Sequence, residues 1–260
     1  MSRNFEVLQR AAIERNQGVL HDVTIESTAA PAALPMTPLT AIPCDARSRI
    51  SSDSVGAEVF DLVQRLFLLP NEWTPRCVVF FSLGAKSDSA SVCALAGEAL
   101  SLHSNGTVCL VDANFNSPTM HDLYCIENSA GFSDALVGPE PLENYAHQVE
   151  DRKLTLISAG NNLLGWKSAL VSEKARRRVA ELRSRFDYVL IEAPANSTIS
   201  SSVILGQLAD GAVVVVEANE TRREVVRNAV DELSAANVRV LGAVLNNRRF
   251  PIPEKLYRMF

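Results

Sequence analysis

The stretch Cys77-Val78-Val79-Phe80-Phe81-Ser82-Leu83-Gly84-Ala85-Lys86-Ser87-Asp88-Ser89-Ala90-Ser91 carries the reading of the fold. Five apolar residues in a row, without polar alternation, read as a strand buried on both faces. A polar turn follows at Gly84, and Leu95, Ala99 and Leu102 then recur at helical spacing. A strand that ends in a Gly- and Ser-rich turn with a lysine, and enters a helix, has the layout of a phosphate-binding loop. Backbone amides and the positive helix end cradle phosphate, Lys neutralises it, and Ser or Thr holds Mg²⁺. The full pattern G-x-x-x-x-G-K-[ST] is absent, so the stretch must be read with its surroundings.

Further along lie Val108-Cys109-Leu110-Val111, Leu154-Thr155-Leu156-Ile157, Tyr188-Val189-Leu190-Ile191, Ala212 to Val216, and Val238 to Leu245. Helix-period segments separate them, clearest at Trp166 to Phe186 and Thr221 to Ala236, where Val225, Val226, Ala229, Val230 and Leu233 share a face. Apolar strands alternating with helices predict an α/β fold of three layers, a mostly parallel sheet with helices on both faces. Such sheets bind ligands beyond the carboxyl ends of their strands. Two runs end there in carboxylates, Asp112 after Val111 and Glu192 after Ile191. Asp112 is placed either to bind Mg²⁺ or orient a nucleophile, or to cap the next turn. Glu192 closes four apolar residues, as the carboxylate of a Walker B strand does.

Composition narrows the function classes. With 260 residues, 47% of them hydrophobic, and a net charge of −5, the chain builds one large domain with an ordinary soluble surface. Nucleic-acid binding needs a basic face, and only Arg176-Arg177-Arg178 offers a local one. The five cysteines, Cys44, Cys77, Cys93, Cys109 and Cys125, form no C-x-x-C pair or zinc spacing and read as buried free thiols. Neither a signal-peptide core nor an apolar run near about 18 residues is present, which predicts a cytoplasmic protein. Phe5, Leu8, Ala11 and Ala12 suggest a short amphipathic helix within residues 1–22. Residues 23–50, with Pro31, Pro35, Pro38 and Pro43, read as a flexible linker, and residues 51–260 as the domain.

The ordered set of parts from about Val55 onward resembles the bacterial tyrosine kinase (BY-kinase) family of capsule and exopolysaccharide synthesis, relatives of the MinD/ParA-type ATPases with a P-loop NTPase fold. The resemblance makes Glu58 to Leu69 the pre-loop helix, Ser82 to Ser91 the Walker A region and Val108 to Asp112 the Walker A′ strand. It makes Gly131 to Gly138 the glycine-led segment, Tyr188 to Glu192 the Walker B strand and Leu241 to Asn246 the final strand. It implies Mg-ATP as cofactor, with Gly84, Lys86, Ser87, Asp88, Ser89 and Ala90 around the phosphates. Ser89, Asp112 and Glu192 would surround the metal, and Asp112 and Glu192 would carry catalysis in an active member. It also implies an inner-membrane polysaccharide chain-length (co-polymerase) protein as partner, recruitment to that membrane, and association with itself or with an active kinase. The N-terminal helix and the segment Phe250 to Phe260 are the candidate contact elements.

The departures fall on charge. The family loop reads P-G-x-G-K-[ST]-T. Aligned back from the helix, Asp88 takes the Walker lysine position and Ser89 the Mg²⁺ position. Aligned forward from the strand, Lys86-Ser87 forms the Lys-Ser pair, with Ala85 where glycine belongs. In the first register two like charges at about 4 Å would repel by roughly 4 kcal/mol at an effective dielectric near 20. Asn114 replaces the second Walker A′ aspartate, and Asn116-Ser117 the basic pair. The oligomerisation motif E-x-x-R-x-x-R falls on Glu58, Asp61 and Gln64, without its arginines. Tyr257 stands alone where the family carries a tyrosine-rich tail. These losses predict a regulatory or scaffold protein with an impaired nucleotide site. The alternatives are an active tyrosine kinase or ATPase using Lys86 and Asp112, and a MinD/ParA-type positioning ATPase with Arg248, Arg249, Lys255 and Arg258 on a membrane-facing patch.

Overall fold

A computed structural model describes residues 53–69, 73–84, 88–149, 153–161, 165–193 and 200–247. The expected N-terminal helix, the linker and the segment from Arg248 onward lie outside the described residues, as do Lys86 and Ser87.

Seven strands form one sheet: β1 (Cys77–Ser82), β2 (Val108–Asp112), β3 (Ala146–Gln148), β4 (Leu154–Ile157), β5 (Tyr188–Glu192), β6 (Gly211–Glu217) and β7 (Val240–Asn246). Their order is β3-β4-β2-β5-β1-β6-β7. All pairings are parallel except that of β3 with β4. Every residue of β1, β2 and β4 is buried, because alternate side chains enter two different cores. Val78 and Phe80 pack with Val63, Phe67, Leu100 and Met120 on one face. Cys77, Val79 and Phe81 pack with Phe132, Trp166, Val179 and Leu233 on the other. That is the three-layer arrangement expected, and it explains why the strands show no polar alternation.

The helices are α1 (Asp53–Val63), α2 (Ser89–His103), α3 (Met120–Tyr124), α4 (Phe132–Val137), α5 (Trp166–Leu170), α6 (Glu173–Arg185), α7 (Ser200–Leu208) and α8 (Arg223–Ala235). Two boundaries differ from the sequence reading. The segment from Trp166 to Phe186 is two helices, because Ser172 adopts an extended backbone and caps α6, accepting from the Ala175 amide at 3.4 Å. The pre-loop helix begins at Asp53, and a π-helical turn, Gln64–Leu68, closes it with a bond from the Leu69 amide to the Gln64 carbonyl at 2.8 Å.

Below the site, polar clamps tie the strand beginnings together. Asp210 accepts from the amides of Arg76 and Cys77, both at 2.8 Å, and from Arg183 at 2.6 Å. Asp187 accepts from the Thr107 amide at 2.8 Å. Cys77, Cys93 and Cys109 are buried free thiols as expected. Cys125 departs from the expectation, being disulfide-bonded, and Cys44 lies outside the described residues. Arg178 also departs, since it is buried rather than part of a basic surface patch.

Candidate nucleotide site

The parallel topology carries the ends of β1, β2 and β5 to one edge of the sheet, and three polar side chains named from the sequence meet there. Asp112 and Glu192 are register partners on the adjacent strands β2 and β5, and both are buried. Ser89, the first residue of α2, donates from Oγ to Glu192 Oε1 at 2.8 Å and lies 3.5 Å from Ser82 Oγ. Asn114 joins them, donating from Nδ2 to the same Glu192 oxygen at 3.3 Å.

Asp112 has its own partners. Its Oδ1 accepts from the Asn114 amide at 2.9 Å and its Oδ2 from the Met120 amide at 3.2 Å. It therefore fastens the turn leading into α3, the capping alternative, while standing beside Glu192 at the sheet edge. The other oxygen of Glu192, Oε2, is buried without a donor. Burial, followed by the charge of Asp112, pushes the Glu192 carboxyl well above its ordinary range. Burial raises Asp112 too, against the pull of its two backbone amides. Two carboxyls side by side in a dry place share a proton. A proton held on Glu192 would be donated to Asp112 and would give the orphan oxygen a partner. Cys93, beneath them on α2, has its thiol pushed up by burial and then by these two charges.

The loop side is arranged differently. Gly84 is exposed at φ +129°, with open space where a Cβ would stand. Only glycine adopts that conformation without strain. Asp88 is the N-cap of α2: its Oδ1 accepts from the Ser91 amide at 2.9 Å and its Oδ2 from the Ser91 hydroxyl at 2.5 Å. A carboxylate thus occupies the positive end of the helix, where a phosphate would otherwise collect the free amides. Ala90 is buried against the α2-side core.

The oxygen set of Ser89, Asp112 and Glu192 fits a hard divalent cation such as Mg²⁺, which would take the place of the proton at the Glu192 oxygen that no protein donor satisfies. Among the described residues no three His, Cys, Asp or Glu side chains converge as a metal cluster. On the phosphate side Asp88 accepts from the Ser91 amide at the helix start, and residues 85–87 lie outside the described residues.

Sequence reading missed Glu217, which ends β6 buried with Oε2 unpartnered. The signal was present, since Glu217 closes an apolar run just as Asp112 and Glu192 do. The glycine-led segment is explained by packing: a Cβ on Gly131 would stand 2.1 Å from the Ser158 carbonyl oxygen at the end of β4.

The order and mostly parallel pairing of the strands, with helices on both faces, give a P-loop NTPase fold, and solved structures agree. The VpsO kinase domain superposes with a TM-score of 0.69 at 24% identity, over 79% of this chain and 98% of that one. MinD from Pyrococcus horikoshii, solved with Mg-ADP, gives 0.58 at 17% identity, over 71% and 76%. No protein-family model matches the chain. Its homologues are bacterial tyrosine-protein kinases. YwqD of Bacillus subtilis is 25% identical over 142 residues, 55% of this chain and 60% of YwqD. CapB of Staphylococcus aureus, a putative tyrosine-protein kinase, is 23% identical over 137 residues, 53% and 60%. The match thus spans less than two thirds of either relative.

Proposed function

We propose that the chain is a BY-kinase-like protein of exopolysaccharide or capsule synthesis and export that acts as a regulatory or scaffold partner, with an impaired nucleotide site. The observation that carries this reading is Asp88. Its carboxylate sits at the amino end of α2 and takes the Ser91 amide, so a nucleotide must displace a good cap and then tolerate its charge. Asn114 in place of the second Walker A′ carboxylate, and its bond to Glu192, support the same reading. The expected partner is an inner-membrane polysaccharide chain-length protein, reached from the cytoplasm. None of the described helices is long and apolar enough to cross a membrane.

One observation favours the active alternative, a kinase or ATPase that uses Mg-ATP: Ser89, Asp112 and Glu192 do converge. Calorimetry with Mg-ATP and Mg-ADP separates the two, run on the parent, Asp88→Asn, Asp88→Lys and Lys86→Ala. No heat from the parent, and binding gained by Asp88→Lys, is the expected result. Micromolar binding by the parent that Lys86→Ala abolishes would overturn the impaired-site reading and restore the enzyme.

A further inference from the structure

The sheet ends at β7, and that edge is open. β7 pairs with β6 alone, so among the described residues no strand meets its other side. Its seven residues, Val240–Asn246, include no charge and no proline, which are common guards of a free edge. The one irregularity of its ladder with β6 lies at Ala212/Val213, near the start, and leaves Gly242 to Asn246 regular. Where β1, β2 and β4 are wholly buried, β7 is only partly covered, and Leu245 is 51% exposed. A bare apolar edge is a template for another strand.

The pairing with β6 decides which backbone groups are free. The Asn246 carbonyl accepts from the Ala218 amide at 2.9 Å. Backbone direction alternates along a strand, so Val244 also bonds toward β6, and Ala243 and Leu245 turn their N–H and C=O groups outward. Ala243 packs on the core that holds Ala229 and Leu233 of α8, and Leu245, two residues on, shares that face. At the same end of the sheet α8 begins, with Val225 46% exposed.

The sequence that follows suits this edge. Asn247 is left-handed, with φ +53°, so β7 does not run straight on. Next come Arg248-Arg249-Phe250-Pro251-Ile252-Pro253-Glu254. A residue before proline favours extended backbone, as Phe250 and Ile252 each do here. Proline has no N–H, so prolines at alternate positions leave Phe250, Ile252 and Glu254 as the donors, all on one edge of an extended chain. That edge can pair, and the other cannot.

We propose that residues 250–254 fold back along β7 as a further, antiparallel strand and close the sheet. Phe250 stands opposite Leu245 and Ile252 opposite Ala243, with residues 246–249 as the connection, a length common in hairpins. The Phe250 and Ile252 side chains then fall on the α8 face, toward Leu245 and Val225. The prolines lie opposite Val244 and Gly242 and present a donor-free edge to solvent. A second copy offers a strand for the same edge, but a segment on so short a loop acts at an effective concentration on the order of millimolar. No residue of the nucleotide site takes part, so this inference stands or falls independently of the proposed function.

The test is solution NMR with hydrogen exchange on the full chain, at low and high protein concentration, beside the variant Ile252→Pro. Expected in the parent are a nuclear Overhauser contact between the Hα atoms of Val244 and Pro251, the close pair of an antiparallel ladder, and slow exchange of the Ala243 and Leu245 amides. Ile252→Pro removes a donor to β7 and should speed exchange at Ala243 by about tenfold, with Val79 and Leu110 unchanged as the control for the fold. Fast exchange in the parent without the Val244–Pro251 contact would overturn the proposal. So would exchange at Ala243 that Ile252→Pro leaves unchanged. Protection that grows with concentration, with the Hα contact arising between differently labelled molecules, would also overturn it and give the edge to a second copy.

Discussion

Replacing Glu192 by Gln tests the shared proton directly. In the folded chain Glu192 lies beside Asp112, without solvent, and its carboxyl is pushed well above the ordinary 4.5. Above that ordinary value the unfolded chain has lost the proton that the folded chain keeps, so the unfolded state binds fewer protons and stability falls as pH rises. The loss begins near pH 4.5 and ends where the folded carboxyl itself ionises. Inside that window each pH unit removes up to about 1.4 kcal/mol, so two units remove up to about 2.7 kcal/mol. Glutamine reproduces the neutral acid: its carbonyl accepts from Ser89 and Asn114, and its amide donates to Asp112. Glu192→Gln therefore has stability close to the parent near pH 5 and becomes the more stable protein as pH rises to 7. Urea unfolding of both proteins at half-unit steps from pH 5 to 8, with EDTA to remove divalent cations, measures the difference. A difference that stays constant across that range would refute a protonated Glu192. A variant several kcal/mol less stable at pH 7 would show that the carboxylate, not the acid, is what the fold requires.

Asp88→Ala should cost about 1 kcal/mol through the lost α2 cap, whereas Asp88→Asn, which still accepts from Ser91, should stay within a few tenths. Chemical denaturation reads both. Arg178→Leu leaves the Ala135, Gly138 and Glu140 carbonyls without their donor and Glu181 with Arg185 alone. A loss of about 3 kcal/mol or more follows, with the earliest hydrogen exchange in α4. The native-state thiols should be inert: burial raises Cys77 to about 12 and Cys109 further. Ellman's reagent at pH 8 should therefore modify Cys77, Cys93 and Cys109 only after denaturant is added. Rapid labelling of any of the three in native protein would contradict their burial.

The sheet was legible because its strands are buried on both faces, and unbroken runs such as Cys77 to Phe81 leave few other readings. β3 was not legible. Ala146-His147-Gln148 is a three-residue edge strand with no apolar run, held by pairing with β4 rather than by its own residues. The break at Ser172 was hidden because helical spacing persists across it, and the cap that ends one helix and starts the next is one hydroxyl. At the sheet edge, the meeting of Asp112, Glu192 and Ser89 was legible from their places at two strand ends and one helix start. What a linear reading could not supply was the sharing: Asn114, read as a lost carboxylate, is a donor to Glu192. Glu217 was overlooked because no motif names it, although its position at a strand end is equivalent.

Asp112 is the residue that most favours a working enzyme, since an abandoned site has no chemical need for it. The structure gives it a second reason to persist. Its two oxygens take the amides of Asn114 and Met120, which fixes the turn after β2 and the start of α3, where Met120 itself is fully buried. Asp112→Asn would face one of those amides with its own NH₂ group, leaving a buried donor against a donor at a cost of about 1–3 kcal/mol. That cost should appear in urea unfolding without nucleotide or metal, and hydrogen exchange should locate the loosening at Ala113–Tyr124. If Asp112→Asn left nucleotide-free stability unchanged, the amide clamp would be too weak to account for the aspartate, and its retention would again argue for catalysis. If the stability is lost, the fold alone accounts for Asp112, and its presence no longer distinguishes an active site from one kept only as architecture.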